Sequence, residues 1–166
     1  MNPPRPRRVP LPDTGRAAGA RPAKQACGST TPTSRTASAA SLTGGRQSFL
    51  AACSLPLDAA VDCYGAFVTA TPPEGMPLKI GPIKHLTKDL SCPLLGLFGA
   101  DDKYPSPEQV AELEEELKAQ GKTYEFHSYE GAGHAFFSVN RPAYRPEAAV
   151  DGWEKILTWF GRYLAS

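Results

Sequence analysis

Residues 92–137 read CPLLGLFGADDKYPSPEQVAELEEELKAQGKTYEFHSYEGAGHAFF. The opening run, 92–98, is apolar without alternation and stops at Gly99. That pattern suits a strand buried on both faces, as in a parallel sheet. Residues 106–120 then carry the signals of a helix. Ser106 can cap it, Pro107 suits its first position and Gln109 completes a capping box. Val110, Leu113 and Leu117 share one face, Glu112, Glu114, Glu115 and Glu116 turn to water, and Gly121 supplies the left-handed exit. YEFHSY at 124–129 alternates as a strand. Strand, helix and strand in this order imply a crossover connection and a parallel sheet.

The same alternation extends outward in both directions. Residues 46–53 follow a Gly-Gly pair and read as a helix. Residues 58–64 form a short strand closed by Gly65, and 84–90 a short helix. Residues 71–81 hold Pro72, Pro73, Gly75 and Pro77 and read as a loop. Residues 147–165 form a second strong helix with Trp153, Ile156, Leu157, Phe160 and Leu164 as its apolar stripe. The expected fold is α/β, a mostly parallel sheet with flanking helices. In such folds chemistry collects at the carboxyl ends of the strands.

The chain has 166 residues and a net charge of +1, but neither aromatics nor charge is spread evenly. Residues 1–45 contain no Phe, Tyr or Trp, and their seven Lys and Arg face one acid, Asp13. The remainder carries eleven basic and sixteen acidic residues. We therefore divide the chain into a basic Pro/Arg/Ser-rich tail, 1–43, and a folded body, 44–166. The tail cannot bury enough apolar surface to offset its ordering entropy, and its expected state is disorder. A transit peptide fits its Arg and Ser content, although seven prolines interrupt any presequence helix. A nucleic-acid arm fits its charge but lacks interleaved aromatics. The favoured reading is a segment foreign to the domain, with the Pro-Arg-Ala-Gly composition of a GC-rich frame read out of register. Cys27, Cys53, Cys63 and Cys92 form no CxxC pair and no zinc spacing. They read as free thiols in a reducing cytoplasm. No apolar run is long enough to span a membrane.

Two strand ends stand out. The first carries Gly99-Ala100-Asp101-Asp102, the second Gly131-Ala132-Gly133-His134. Neighbouring parallel strands lie about 4.8 Å apart, so loops at their ends can bring a carboxylate to an imidazole. A buried carboxylate on one ring nitrogen fixes the tautomer and leaves the other nitrogen to take a proton from a nucleophile. His85 and His127 read as structural or exposed, one in a short helix and one within a strand.

Three stretches, GGRQSFLAACSLPLDAAVDCYG, PLLGLFGADDKYPSPEQV and YEGAGHAF, resemble the C-terminal part of the dienelactone hydrolase family in the α/β-hydrolase superfamily. The resemblance implies a hydrolase of ester or lactone bonds with a Cys-His-Asp triad, no cofactor and no metal. Its partner would be a small-molecule ester or lactone, with no nucleic acid and no membrane. It places the catalytic histidine at His134 and the acid at Asp102, with Asp101 as the rival. It also implies a nucleophile at a tight strand-to-helix turn of the form G-x-C-x-G-G. The Gly-Gly pair is Gly44-Gly45, but two residues before it stands Leu42, and Ala40 replaces the first glycine. Ser41 is one residue off, and such a shift turns a side chain to the other face. Cys53 and Cys63 fall in the following helix and strand and read as packing residues. The nucleophile is thus unassigned, and the family's earlier strands are expected to be missing from 1–43. Two functions follow as expectations: an ester or lactone hydrolase that keeps the acid and the histidine, or an inactive interaction protein with a hydrolase-like fold.

Overall fold

The computed structural model describes residues 36–41 and 43–165. The readings of residues 1–35, and of Leu42, concern positions outside the described residues.

Four parallel strands form one sheet in the order β1 (Ala37–Ser41), β2 (Ala59–Cys63), β3 (Leu94–Gly99), β4 (Tyr124–Tyr129). Helix α1 (Thr43–Ser54) joins β1 to β2, a 3-10 helix (Lys84–Asp89) precedes β3, and α2 (Pro107–Ala119) joins β3 to β4. Helix α3 (Pro146–Leu164) ends the chain's regular structure. The expected parallel sheet with flanking helices is present. No helix among the described residues is long and apolar enough to cross a membrane.

Side chains alternate across the strands, so each strand serves two cores. On one face Ala60 and Leu94 meet Phe49 and Ala52 of α1 and Leu113 and Leu117 of α2. On the other, Val61, Cys63, Leu95 and Leu97 meet Ile156 and Trp159 of α3, with Phe136. Every residue of β2 and β3 is buried, as the unbroken apolar run of β3 requires, and β2 buries Asp62 among its apolar residues. Helix α2 is capped as its sequence dictates. Ser106 Oγ accepts from Gln109 N at 3.4 Å, Gln109 Oε1 accepts from Ser106 N at 3.3 Å, and Gly121 has φ +62°.

Two features differ from the sequence reading. Strand β1 lies inside the segment assigned to the tail. ASAAS has little intrinsic strand preference, and its pairing with β2, Ala37 against Ala59 through Ser41 against Cys63, supplies the order. Thr36 and Asp58 lock the start of that pair through Thr36 N to Asp58 Oδ2 and Asp58 N to Thr36 O, both 2.8 Å. The second difference is the face α3 presents. Ala149, Gly152, Ile156 and Trp159 are buried, whereas Val150, Trp153 and Leu157 are exposed. The small residues Ala149 and Gly152 let the helix approach the layer below. The Phe137 ring occupies the space where a Gly152 Cβ would stand.

Helix α1 packs on the end of β2 at Gly45, with the Asp62 carboxylate in the contact. A Cβ on Gly45 would lie 2.5 Å from Cys63 O and 2.7 Å from Gly65 Cα. Both are backbone atoms that cannot turn aside. Gly45→Ala is therefore expected to lower stability by about 1–3 kcal/mol, the usual cost of overpacking. The midpoint of urea unfolding measures it, and an unchanged midpoint would show that α1 can ride away from the sheet.

Candidate active site

The parallel register of β3 and β4 sets Gly99 opposite Tyr129, so both strands end at one level. Beyond that level the two loops bond to each other. Ala100 N donates to Tyr129 O and Asp101 N to Ala132 O, each at 2.9 Å. The approach needs the glycine, because a Cβ on Gly99 would sit 2.3 Å from Ala132 O.

This contact brings the predicted acid and histidine together. His134 Nδ1 lies 2.8 Å from Asp102 Oδ2. The other carboxylate oxygen, Oδ1, accepts from Tyr104 N at 2.9 Å. The Asp102 side chain is 1% exposed and that of His134 35%, so the acid lies beneath the imidazole and the imidazole reaches the surface. With Nδ1 engaged, Nε2 is the nitrogen left to accept a proton. Ala135 follows at φ +67°, turning the chain sharply beside a buried methyl. The Tyr64 ring meets the imidazole edge-on at 5.2 Å. Asp101, the rival acid, is exposed and meets the histidine loop through its backbone. His127 bonds to Glu125 on the same strand and His85 is exposed, so neither joins the site.

A cavity of about 640 Å³ opens at the pair. Phe67, Met76, Leu78 and Ile80 wall one side, and Lys103, Tyr104 and Arg141 also line it. Arg46, from α1, lines it as well and is 8% exposed. Its Nε donates to Phe67 O at 3.2 Å and its Nη2 to Gly81 O at 2.9 Å. Burial lowers its pKa from the ordinary arginine value.

Strand β1 ends at Ser41 and α1 opens at Thr43, the strand-to-helix order that a nucleophile turn requires. The described cysteines supply no thiolate. Burial pushes the thiols of Cys53 and Cys63 up to about 12 and raises that of Cys92. All three are free.

Sequence reasoning missed Arg46, Phe67, Tyr104 and, above all, Asp62. Asp62 stood in plain view as the lone acid within the apolar run 59–63. It is fully buried, its Oδ1 accepts from Gly65 N at 2.7 Å, and its Oδ2 has no hydrogen-bond partner among the described residues. Desolvation lifts its pKa from 3.8 to about 7, against the lowering effect of the Gly65 hydrogen bond.

Residues 42–164 match the dienelactone hydrolase family. A Salmonella typhimurium protein named "putative carboxymethylenebutenolidase" is 37% identical over 124 residues, covering 72% of this chain and 43% of the relative. A Bradyrhizobium protein named "probable 2-oxo-3-(5-oxofuran-2-ylidene)propanoate lactonase" is 30% identical over 121 residues, covering 73% and 48%. The crystal structure of a "putative dienelactone hydrolase" from Klebsiella pneumoniae superposes with a TM-score of 0.67 at 33% identity. It covers 76% of this chain and 52% of that one. The chain spans about half the length of the relatives it matches.

The buried carboxyl makes stability depend on pH. Below pH ~4 Asp62 is protonated in both states. As pH rises towards 7 the unfolded chain ionises there while the fold holds the proton, so stability falls. Asp62→Asn should remove that decline, a fall between pH 4 and pH 8 on the order of 4 kcal/mol in the Asp62 protein at about 1.36 kcal/mol per pKa unit. Urea titrations of both proteins at pH 4 and pH 8 measure the difference. Parallel pH profiles would show that the carboxyl ionises freely in the fold.

Proposed function

The chain belongs to the dienelactone hydrolase family, and from that premise we propose that its site serves the cleavage of ester or lactone bonds. Asp102 and His134 are the acid and base of a Cys-His-Asp triad. The observation that carries this reading is the 2.8 Å bond from a buried carboxylate to His134 Nδ1 at the edge of a cavity. Where a cysteine stands at the turn, as in the family's motif, Nε2 would take the thiol proton and the thiolate would attack the carbonyl carbon; with Leu42 there, this chain keeps the acid and the base of that sequence. The tetrahedral adduct collapses to a thioester as the imidazolium protonates the departing alkoxide, which for a lactone stays tethered. Water, deprotonated by the same nitrogen, then releases the acid. Asp102 holds the tautomer and stabilises the imidazolium throughout. The substrate is a small ester or lactone, and no cofactor or metal enters these steps. The free thiols of Cys53, Cys63 and Cys92 support a cytoplasmic setting.

A second reading, a hydrolase-like fold without turnover, is favoured by one observation. Leu42 occupies the position that the motif gives to the cysteine.

Both readings meet in one experiment. Leu42→Cys is placed in the chain with His134 intact, with His134→Ala, with Asp102→Asn or with Asp101→Asn. Alkylation by iodoacetamide at position 42 is followed at pH 7 by mass spectrometry. An imidazole in reach promotes the thiolate, and the rate should fall about tenfold or more with His134→Ala. Asp102→Asn should slow it, and Asp101→Asn should leave it unchanged. Equal rates in all four would remove His134 from a nucleophile at that turn and leave the second reading.

A further inference from the structure

The segment between β2 and the 3-10 helix is tied at its neck and carries one wall of the cavity. Two sets of bonds close the neck. Arg46 reaches from α1 to the carbonyls of Phe67 and Gly81, and Val68 O accepts from Ile83 N at 2.8 Å and Lys84 N at 2.9 Å. Residues 69–80 project between these ties. They contain Pro72, Pro73 and Pro77 and form no helix or strand. A buried guanidinium that bonds only to carbonyls is an unusual tether. Among the described residues it has no carboxylate partner in hydrogen-bond or ion-pair reach. Its planar fork suits it, because two donors can span two acceptors where an ammonium offers a point.

The wall itself is apolar. Met76 and Ile80 are half-buried, and Leu78 is 39% exposed. They face the same cavity as His134 and Asp102. At the foot of the arm Phe67, held at φ +61°, packs its ring on Tyr104 at 5.3 Å. Tyr104 in turn donates its N–H to Asp102. The arm is therefore braced at its foot against both α1 and the acid loop, and its apolar side chains line the cavity of the candidate base.

We propose that residues 69–80 are a substrate-selecting arm. Arg46 is its positioning residue, and Met76, Leu78 and Ile80 receive an uncharged alkyl or aryl substituent of the ester or lactone. The proposal rests on the hydrolase reading of the site for the identity of the ligand. Burial of a substituent on this wall removes apolar surface from water on both sides, which makes affinity grow with the substituent's length.

Binding tests it without requiring turnover, so a chain that hydrolyses nothing still gives an answer. The probes are straight-chain methyl ketones from 2-butanone to 2-nonanone, which carry the carbonyl but no leaving group. Affinities come from shifts of the backbone amide resonances of residues 67–81 in the full chain. The expected result is an affinity that rises about threefold to fourfold per methylene until the wall is filled. Leu78→Ser combined with Ile80→Ser, both on a surface segment, should flatten that series. Arg46→Gln should speed hydrogen exchange of the neck amides of Ile83 and Lys84, which bond to Val68 O, by about tenfold or more, the weight of a lost charge-assisted bond, and flatten the series too. An affinity independent of chain length, or a series unchanged by the double substitution, overturns the assignment of the wall. Unchanged exchange at Ile83 and Lys84 in Arg46→Gln overturns the tether. Failure of position 42 to respond to His134, with a rising ketone series, would overturn the hydrolase reading and leave the apolar site standing.

Discussion

Strands β3 and β4 leave the sheet at the same level because their parallel register pairs Gly99 with Tyr129. The loops beyond them then meet backbone to backbone, at a separation that only a residue without a side chain permits. All of the candidate chemistry hangs from that meeting. Asp101 spends its backbone N–H on Ala132 O, which leaves Asp102, one residue on, to turn inward beneath the histidine. Shifting the register by one residue would send these side chains to opposite faces.

Helix α1 ties the remaining parts to that centre. It follows β1 at the turn where the family's motif has its nucleophile, and its first residues lie against the end of β2. Arg46, immediately after the Gly-Gly pair, reaches the arm over the cavity. At the foot of that arm Phe67 reaches Tyr104, and Tyr104 holds Asp102. A chain of packed and bonded groups therefore joins the turn, the cavity wall and the acid. Asp62 lies within the same contact, wedged against Gly45 and Gly65. Its fully buried carboxyl leaves one oxygen without a hydrogen-bond partner among the described residues, a cost that the packing around it sustains.

Much of this was legible in the residues. The unbroken apolar run before Gly99 announced a strand covered on both faces. Ser106, Pro107 and Gln109 announced the start of α2 through bonds that are local in sequence and so need no tertiary partner. Other parts were not legible, each for a reason. ASAAS has no β-branched or aromatic residue, so β1 exists through its neighbour and not through its own preference. Helix α3 has apolar residues around more than half its circumference, and periodicity alone could not say which stripe would face the sheet. The small residues Ala149 and Gly152 decided it by permitting close approach, which left Trp153 and Leu157 outside.

By itself the sequence determined the kind of protein: a parallel α/β sheet, an acid and a histidine on successive strand ends in hydrolase order, and a family likeness that matching proteins share. Those signals are local or periodic, and short-range propensity and solvation fix them. The tertiary structure alone set the Asp102 carboxylate against His134 Nδ1, placed Arg46 across the neck of a distant loop and buried Asp62. These depend on distances between residues 20 to 40 positions apart, which the packing of strands and helices sets and no neighbouring residue encodes.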